Sequence, residues 1–213
     1  LVNSTIIPST KGVIIPRIGY RMELPEGFER MRWYGRGPLE NYVDRKDATY
    51  VGVYDELVSD QWVNYVRAQE MGNREDLRWI SITNPDGIGF VFIAGDKMSA
   101  SALHATAQDM VDPANHRRLL HKYEVPMRKE TFLCLDANQR PLGNASCGPG
   151  PMQKYELRSQ PTVFSFIILP LERSYSTEEL IKKARVQMPV CMPVLIERDN
   201  NGYLNLKTNT PGA

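Results

Sequence analysis

The segment from Arg78 to Ala94 constrains the fold of this chain more than any other stretch. Apolar and polar residues alternate over Arg78–Thr83, Asn84–Gly87 has the composition of a turn, and an apolar segment returns at Ile88–Ala94. A period of two belongs to a β-strand, and Asn, Pro, Asp and Gly are the residues that tight turns favour. The sequence therefore predicts an antiparallel β-hairpin here.

Short strand signals of the same kind recur along the chain, and almost no helical periodicity precedes residue 175. Proline within the apolar run Val13–Gly19 indicates an edge or entry strand, because proline cannot donate to a sheet ladder. Frequent short strands without intervening helices are typical of an antiparallel all-β domain. We predict a large β-sandwich with further strands at Phe28–Tyr34, Trp62–Val66, Met98–Thr106, Lys122–Val125, Thr131–Asp136, Gln153–Leu157 and Thr162–Leu169.

One short helix is predicted near the C-terminal end. Ser176 and Glu179 have the spacing of a capping box, in which each side chain bonds the backbone N–H of the other residue. An apolar stripe at Leu180, Ile181 and Ala184 follows, and Pro189 ends the helix. We divide the chain into a β-sandwich over 1–175, a helix over 176–187, and a linker with the first strands of a truncated β module over 188–213.

The stretch from Trp33 to Arg45 combines aromatic residues with a Gly-x-Gly-Pro sequence and a set of polar side chains. Glycine permits backbone angles closed to other residues, so this sequence predicts a turn after a strand. Aromatic faces beside carboxylate, amide and guanidinium groups suit a sugar, which has apolar C–H faces and a rim of hydroxyls. The alternative is a surface turn with a solvated ion pair.

Charge, hydropathy and cysteine content exclude several classes of protein. The formal net charge of +1 gives no electrostatic reason to expect nucleic acid or a membrane surface as a partner. The cysteines Cys134, Cys147 and Cys191 are odd in number and lack metal-ligand spacing. Without a phosphate loop, a zinc-ligand cluster or an ordered Ser–His–Asp set, we expect no cofactor or metal in this segment.

The beginning of the chain predicts a piece of a longer protein. It starts at Leu1, without Met and without a signal-peptide pattern. No apolar run reaches the roughly 18 residues that a membrane span needs, so we expect a soluble protein. Its compartment, cytoplasmic or periplasmic, stays open.

Four ordered blocks give the chain a family resemblance. They are Ile15–Gly19, Trp33–Arg45, Tyr65–Arg74, and Leu135–Asp136 continuing to Gly143–Pro149. Over roughly residues 12–170 the chain resembles the C-terminal domain of the family-two β-galactosidases. That resemblance implies a β-supersandwich similar in fold to galactose mutarotase. Ala68 stands where the family usually has Pro, and Met71 where it often has Asn.

The resemblance also implies what the parent enzyme does. Family members hydrolyse terminal non-reducing β-D-galactose residues with retention, using two glutamates carried on a TIM barrel. This chain shows no alternation of strands and helices, so we assign it no catalytic residue and expect the fragment alone to be inactive. Its implied role is a wall of the galactoside pocket that contacts the barrel and other domains. The resemblance also admits a homo-oligomer, and a divalent or monovalent cation in the parent enzyme.

The residue types and the family resemblance together predict two sets of site residues. Cys147 aligns with a tryptophan that stacks on substrate in some members, and a cysteine cannot stack in that way. We expect the loops Gly35–Arg45 and Gly143–Pro149 to lie side by side at one end of the sandwich. The expected substrate-binding residues are Gly35, Arg36, Glu40, Asn41, Asp44, Arg45 and Cys147.

A second, weaker set would serve a mutarotase-like reaction. In that chemistry a histidine protonates the ring oxygen while a carboxylate takes the anomeric proton. His104, His116 and Glu70 are the candidates, and the alternative is that each histidine is held by structural hydrogen bonds. Arg78 is either a sugar ligand or a buried strut for Glu70. The alternative function is thus an autonomous carbohydrate-binding or aldose-1-epimerase-like module.

Overall fold

The computed structural model describes residues 1–143, 148–187, 195–198 and 204–207. The predicted all-β, antiparallel sandwich with one short C-terminal helix is confirmed. Eight strands form one antiparallel sheet system, and two more pair separately. The strands are β1 (Val2–Ile6), β2 (Arg17–Leu24), β3 (Arg30–Gly37), β4 (Tyr50–Leu57), β5 (Arg74–Thr83), β6 (Ile88–Leu103), β7 (Thr131–Gln139), β8 (Thr162–Glu172), β9 (Leu195–Arg198) and β10 (Leu204–Lys207).

The long strand β6 connects the two branches of this sheet system. Its first half, Ile88–Ala94, pairs with β8, whereas its second half, Ser99–Leu103, pairs with β7. The β8 branch ends at β1 and the β7 branch at β2, while β5, β3 and β4 continue the sheet on the other side of β6. The separate strands predicted at Ile88–Ala94 and Met98–Thr106 are therefore parts of one strand.

The predicted hairpin at Arg78–Ala94 is confirmed, and its turn is held by Asn84. The backbone N–H of Gly87 donates to the Asn84 carbonyl, and the Asn84 Oδ1 accepts from the N–H of Ile88 at 2.9 Å. Gly87 has a φ of 79°, the left-handed region that glycine adopts at low cost. The hairpin pairs Thr83 with Gly89 and continues in register to Trp79 and Ile93.

The main core lies on one face of this sheet system. Trp33, Ile80, Phe92, Leu133 and Phe166 are all at most 2% exposed and belong to one contiguous cluster. Burying each side chain of this size contributes about 1.5–3 kcal/mol of transfer free energy. A second cluster forms beneath the segments around Met71 and Met110, and a third lies beneath the helix.

The predicted capping box and helix are confirmed as α1 (Thr177–Gln187). The Ser176 N–H donates to Glu179 Oε2 at 2.7 Å, and the Glu179 N–H donates to the Ser176 hydroxyl at 3.2 Å. Leu180 and Ala184 are buried against the third cluster, which includes Trp79. The helix therefore covers one face of the central hairpin.

Three short predicted strands are wrong. Lys122–Glu124 and Gln153–Tyr155 are single turns of 3₁₀ helix, and the segment 62–66 is irregular. Each is too short for its pattern to establish a period, and tertiary contacts decided its conformation. Conversely, β4 was not predicted, because it includes Gly52, Asp55 and Glu56, which are residue types that strands disfavour. Such residues are tolerated here because β4 lies at the edge of the sheet.

The turn predicted at Gly35–Pro38 is wrong in its position, and the reason given for its two glycines is wrong as well. Gly35 and Gly37 lie within strand β3, and neither has a positive φ. A Cβ on Gly35 would lie 2.9 Å from the Leu77 Cα, and one on Gly37 would lie 2.8 Å from the Tyr54 ring. Glycine is needed here for close packing. The chain leaves the strand only at Pro38.

Two antiparallel strands, β9 and β10, occupy part of the segment 188–213. The remaining residues of that segment lie outside the described ranges. The division at residues 175 and 188 therefore stays a prediction. Among the described helices, none has the length and apolar character needed to cross a membrane.

Candidate functional site

Glu40 is the hydrogen-bonding centre of the loop that follows β3. Its side chain is only 11% exposed, and Arg45 Nη2 donates to its Oε1 at 2.6 Å. The Gly72 N–H donates to Oε2 at 2.9 Å, and the Tyr65 hydroxyl donates to Oε1. The carboxylate therefore ties three separate chain segments together.

The neighbouring site residues Arg36 and Gly35 are built into the sheet. Arg36 Nε donates to Asp76 Oδ2 at 2.6 Å, and its Nη1 donates to the carbonyls of Lys46 and Thr49. Gly35 lies against Leu77 with no room for a side chain. Both residues thus hold the loop against β5.

Asn41 has a similar role and is fully buried. Its Oδ1 accepts from the Glu75 N–H at 2.8 Å, and its backbone N–H donates to the Asn73 carbonyl. In turn, Asn73 Nδ2 donates a hydrogen bond to the Asn41 carbonyl. These reciprocal bonds connect the two loops that carry the second and third sequence blocks.

Asp44 joins this loop to the fourth block. Its Oδ2 accepts a 3.0 Å hydrogen bond from the backbone N–H of Gly143, 99 residues away. Its other oxygen, Oδ1, is buried and has no hydrogen-bond partner among the described residues. The predicted proximity of the two loops is confirmed at Gly143. Cys147 lies outside the described residues, so its placement stays a prediction.

A cleft of about 750 Å³ opens beside this loop, and we call it the Pro38 cleft. Pro38, Leu39 and Val63 provide apolar surface. The charged lining groups are the carboxyls of Glu40, Glu56 and Asp60 and the guanidinium groups of Arg45 and Arg74. An apolar wall with a few convergent polar groups is the usual character of a ligand cleft.

The electrostatics of the cleft follow from burial. Tyr65 lies behind the cleft, in contact with the lining residues Glu40 and Arg45. Burial raises the pKa of its hydroxyl, and the hydrogen bond to Glu40 acts in the same direction. The hydroxyl therefore stays a neutral donor at physiological pH. Burial lowers the pKa of Arg74, although the Glu56 carboxylate opposes that change. The cleft can donate to and accept from a hydroxylated ligand.

Glu70 and Arg78 are not partners, which corrects one sequence interpretation. Arg17 Nη1 lies 3.5 Å from Glu70 Oε2, whereas Arg78 Nη1 donates to the Asp76 carbonyl at 2.6 Å and stacks over the Tyr34 ring. The register between β5 and β6 is irregular between Leu77 and Trp79, which is where Arg78 lies.

The histidines do not assemble with Glu70. His104 Nδ1 lies 2.9 Å from the Glu130 carbonyl oxygen, and its Nε2 lies 2.6 Å from Glu29 Oε2. Both ring nitrogens are therefore occupied. His116 is exposed, and neither histidine lines the cavity that contains Glu70. The structural interpretation of His104 is favoured over a catalytic one.

Sequence reasoning missed Arg17, Tyr65 and Asp136 as site residues. All three lie within the blocks that carry the family resemblance, so those blocks were the available signal. Across the described ranges, no group of three or more His, Cys, Asp or Glu side chains is arranged to hold a metal ion.

Comparison with known proteins identifies related chains. The family model for the β-galactosidase small chain matches residues 2–168. A β-galactosidase of Arthrobacter sp. (strain B7) is 32% identical over 154 residues, which cover 70% of this chain and 14% of that protein. For a β-galactosidase of Staphylococcus xylosus the identity is 29% over 157 residues, covering 73% and 15%.

A third relative extends the comparison. The β-galactosidase BgaC of Bifidobacterium adolescentis is 35% identical over 146 residues, covering 67% of this chain and 13% of that protein. The chain therefore spans 13–15% of the length of these three relatives.

Proposed function

The chain belongs to the β-galactosidase small-chain family, and from this membership we propose that it completes the sugar-binding pocket of a β-galactosidase as an accessory C-terminal domain. The parent enzyme would hydrolyse terminal non-reducing β-D-galactose residues. Its other domains, including a TIM barrel, would provide the remaining and much larger part of the polypeptide.

The bond between Asp44 and Gly143 is the observation that carries this proposal. It joins two loops that are far apart in sequence, and the first of these loops contributes Glu40 and Arg45 to a cleft with both hydrogen-bond donors and acceptors. A loop pair fixed in this way is suited to present a rigid wall to a sugar, because preorganised contacts lose less entropy on binding. Arg45 would face the substrate side, because its side chain is 55% exposed and lines the Pro38 cleft. Asp44, Gly35, Arg36 and Asn41 would support it.

The catalytic glutamates would come from the rest of the enzyme. A retaining glycosidase needs two carboxyl groups about 5–5.5 Å apart, one as nucleophile and one as acid and base. In this chain Glu40 is paired with Arg45, and Glu70 is paired with Arg17. Each of these carboxylates therefore already has a structural partner within the chain. The chain would therefore be inactive alone.

The edge strand β4 supports a role in packing against other domains or another subunit. Tyr50 is 75% exposed, and Val51 and Leu57 are more than 40% exposed, all on one strand whose sole partner among the described strands is β3. Exposed apolar residues on an open edge favour contact with another surface.

An autonomous aldose-1-epimerase-like module is the weaker proposal. That reaction needs a histidine free to protonate the ring oxygen. Both nitrogens of His104 already have partners, at the Glu130 carbonyl and the Glu29 carboxylate.

A complementation experiment tests the proposed function. The Staphylococcus xylosus enzyme is truncated before the segment matched by this chain, and hydrolysis of nitrophenyl β-D-galactoside is measured with and without the 213-residue chain. We expect no turnover by either piece alone and turnover by the mixture. A matched control replaces the chain with its Asp44→Ala variant, which should restore less activity. Turnover by the chain alone would contradict the proposal.

A further inference from the structure

A second cavity, which we call the Arg17 cleft, opens on the sheet face formed by β2 and β7. It has two connected lobes of about 310 and 410 Å³, which share Arg17, Arg21, Ala107 and Cys134. Both volumes lie in the range of small-molecule pockets.

The floor of this cleft is an ion pair between Arg17 and Asp136. Arg17 Nη2 donates to Asp136 Oδ2 at 2.6 Å, and its Nε donates to Oδ1 at 3.2 Å. The Asp136 side chain is 2% exposed, whereas that of Arg17 is 29% exposed. The guanidinium is therefore fixed by a buried carboxylate while its outer edge faces the cavity.

The Glu70 carboxylate can accept a hydrogen bond from a ligand. Its side chain is 30% exposed, and its contact with Arg17 Nη1 is long, at 3.5 Å. A ligand hydroxyl placed there could accept from Arg17 Nη1 and donate to Glu70 Oε2. A hydroxyl group can bridge the two side chains in this way because it both donates and accepts a hydrogen bond, whereas a group that only donates or only accepts cannot.

The formal charges of the cleft cancel. Its charged lining groups are Arg17, Arg21, Glu70 and Asp136. Arg21 Nη1 donates to the neutral side chain of Gln108 at 2.9 Å. A neutral ligand with several hydroxyls fits this arrangement better than an anion or a cation.

The rest of the lining provides an apolar wall. Phe132, Leu103 and Met110 line the lobe of about 310 Å³, whose surface is mostly apolar. The C–H face of a pyranose ring packs well against such side chains. Gly19 allows β2 to lie close to Asp136, because a Cβ at position 19 would lie 2.2 Å from Asp136 Oδ1.

We propose that the Arg17 cleft is a binding site for a neutral monosaccharide, held by Arg17 and Glu70 and covered by the apolar wall. This site is separate from the Pro38 cleft, and the proposal does not rest on the role of the chain in a β-galactosidase. A negative result here leaves the complementation experiment unaffected.

NMR titration of the ¹⁵N-labelled 213-residue chain with D-galactose tests the proposal. We expect amide shifts at Gly19, Ala107, Gln108 and Cys134, with a Kd of about 1–10 mM for a ligand of about twelve non-hydrogen atoms. Shifts confined to the Pro38 cleft, or no shifts at all, would overturn it.

Glu70→Gln is the decisive variant, and Glu124→Gln is its matched control. The Glu124 side chain is 26% exposed and also pairs with an arginine, Arg118, but it lines neither the Arg17 cleft nor the Pro38 cleft. We expect Glu70→Gln to weaken binding roughly tenfold through loss of a charge-assisted hydrogen bond. The control should leave Kd unchanged. Equal effects of the two variants would contradict the assignment.

Two further measurements need no variant. D-galactose at about 50 mM should slow alkylation of the Cys134 thiol at least about fivefold, because bound ligand would cover it. Mass spectrometry distinguishes this cysteine from the other two. Titration with D-galacturonate tests the ligand class, and binding more than about tenfold tighter than that of D-galactose would show an anion site instead.

Discussion

The backbone N–H of Gly143 donates a 3.0 Å hydrogen bond to Asp44 Oδ2, across 99 residues of sequence. Gly143 has a φ of 60°, and a Cβ on it would lie 2.7 Å from the Pro151 nitrogen. The loop can therefore bring its N–H to Asp44 only with glycine at this position. The contact depends on both residues at once.

Replacing Asp44 should loosen this contact before it affects the rest of the fold. We expect Asp44→Ala to cost about 1–2 kcal/mol of unfolding free energy, since it leaves the Gly143 N–H without its charged acceptor. Hydrogen exchange at the Gly143 amide should accelerate most. Asp47→Ala, at an exposed position of the same loop, is the control and should change neither quantity. Equal exchange rates in both variants would count against the contact.

Glu40 should be among the most sensitive positions in the chain. Glu40→Ala removes the acceptor of Arg45, Tyr65 and Gly72 together. Leaving several partly buried donors unpaired should cost about 2–4 kcal/mol in urea unfolding. The control is Glu26→Ala, whose ion pair with Lys129 is exposed and should be worth less than about 1 kcal/mol. Similar losses for both variants would show that the Glu40 network contributes little.

Gly35 should not tolerate a methyl group. The Cβ of Gly35→Ala would lie 2.9 Å from both the Leu77 Cα and Cδ2, so two neighbouring strands must separate. We expect a loss of about 1–3 kcal/mol, as for an overpacked core. Gly150→Ala is the control, because no described atom lies within 4 Å of its added Cβ. Thermal unfolding of the two variants makes the comparison, and equal midpoints would contradict it.

The pair of Asp109 and Arg128 should produce a pH dependence in the acid range. The hydrogen bond from Arg128 lowers the pKa of the Asp109 carboxyl to about 2, although burial opposes it. The folded pKa is below the unfolded value of about 3.9. The contribution to stability is therefore present above about pH 4 and lost as pH falls through about 2.

A double-mutant cycle measures this dependence. Asp109→Asn and Arg128→Gln, alone and together, are unfolded with urea at several values of pH between about 2 and 6. The coupling energy should be favourable at the upper end and should decline toward zero at the lower end. A coupling energy independent of pH would exclude the ion pair as its source.

Local patterns predicted the parts of the fold that local interactions determine. The hairpin could be predicted because Asn84 and Gly87 form the turn themselves. The helix could be predicted because Ser176 and Glu179 cap its first turn. The conformation of the segments at Lys122 and Gln153 could not be predicted, because the apolar pattern of a few residues does not distinguish a strand from a 3₁₀ turn.

The site depended on contacts that no local pattern contains. Glu40 was singled out as a sugar ligand, but its position as the partner of Tyr65 and Gly72 follows only from the folded structure. Likewise, Arg36 faces Asp76 because β3 and β5 are neighbouring strands. The proximity of the loops that contain Asp44 and Gly143 was predicted through family resemblance, which carries long-range information that composition and periodicity lack, whereas the hydrogen bond between these two residues follows only from the folded structure.

Steady-state kinetics on a chimeric enzyme test whether the joined loops contribute to the sugar pocket. Residues 2–168 replace the matched segment of the Arthrobacter sp. enzyme, and hydrolysis of nitrophenyl β-D-galactoside is measured for the chimera and for its Asp44→Ala and Asp47→Ala variants. We expect an active chimera in which Asp44→Ala raises KM roughly tenfold with little change in kcat, while Asp47→Ala changes neither KM nor kcat. A folded chimera in which both variants have the KM of the unmodified chimera would contradict a role of the joined loops in the sugar pocket.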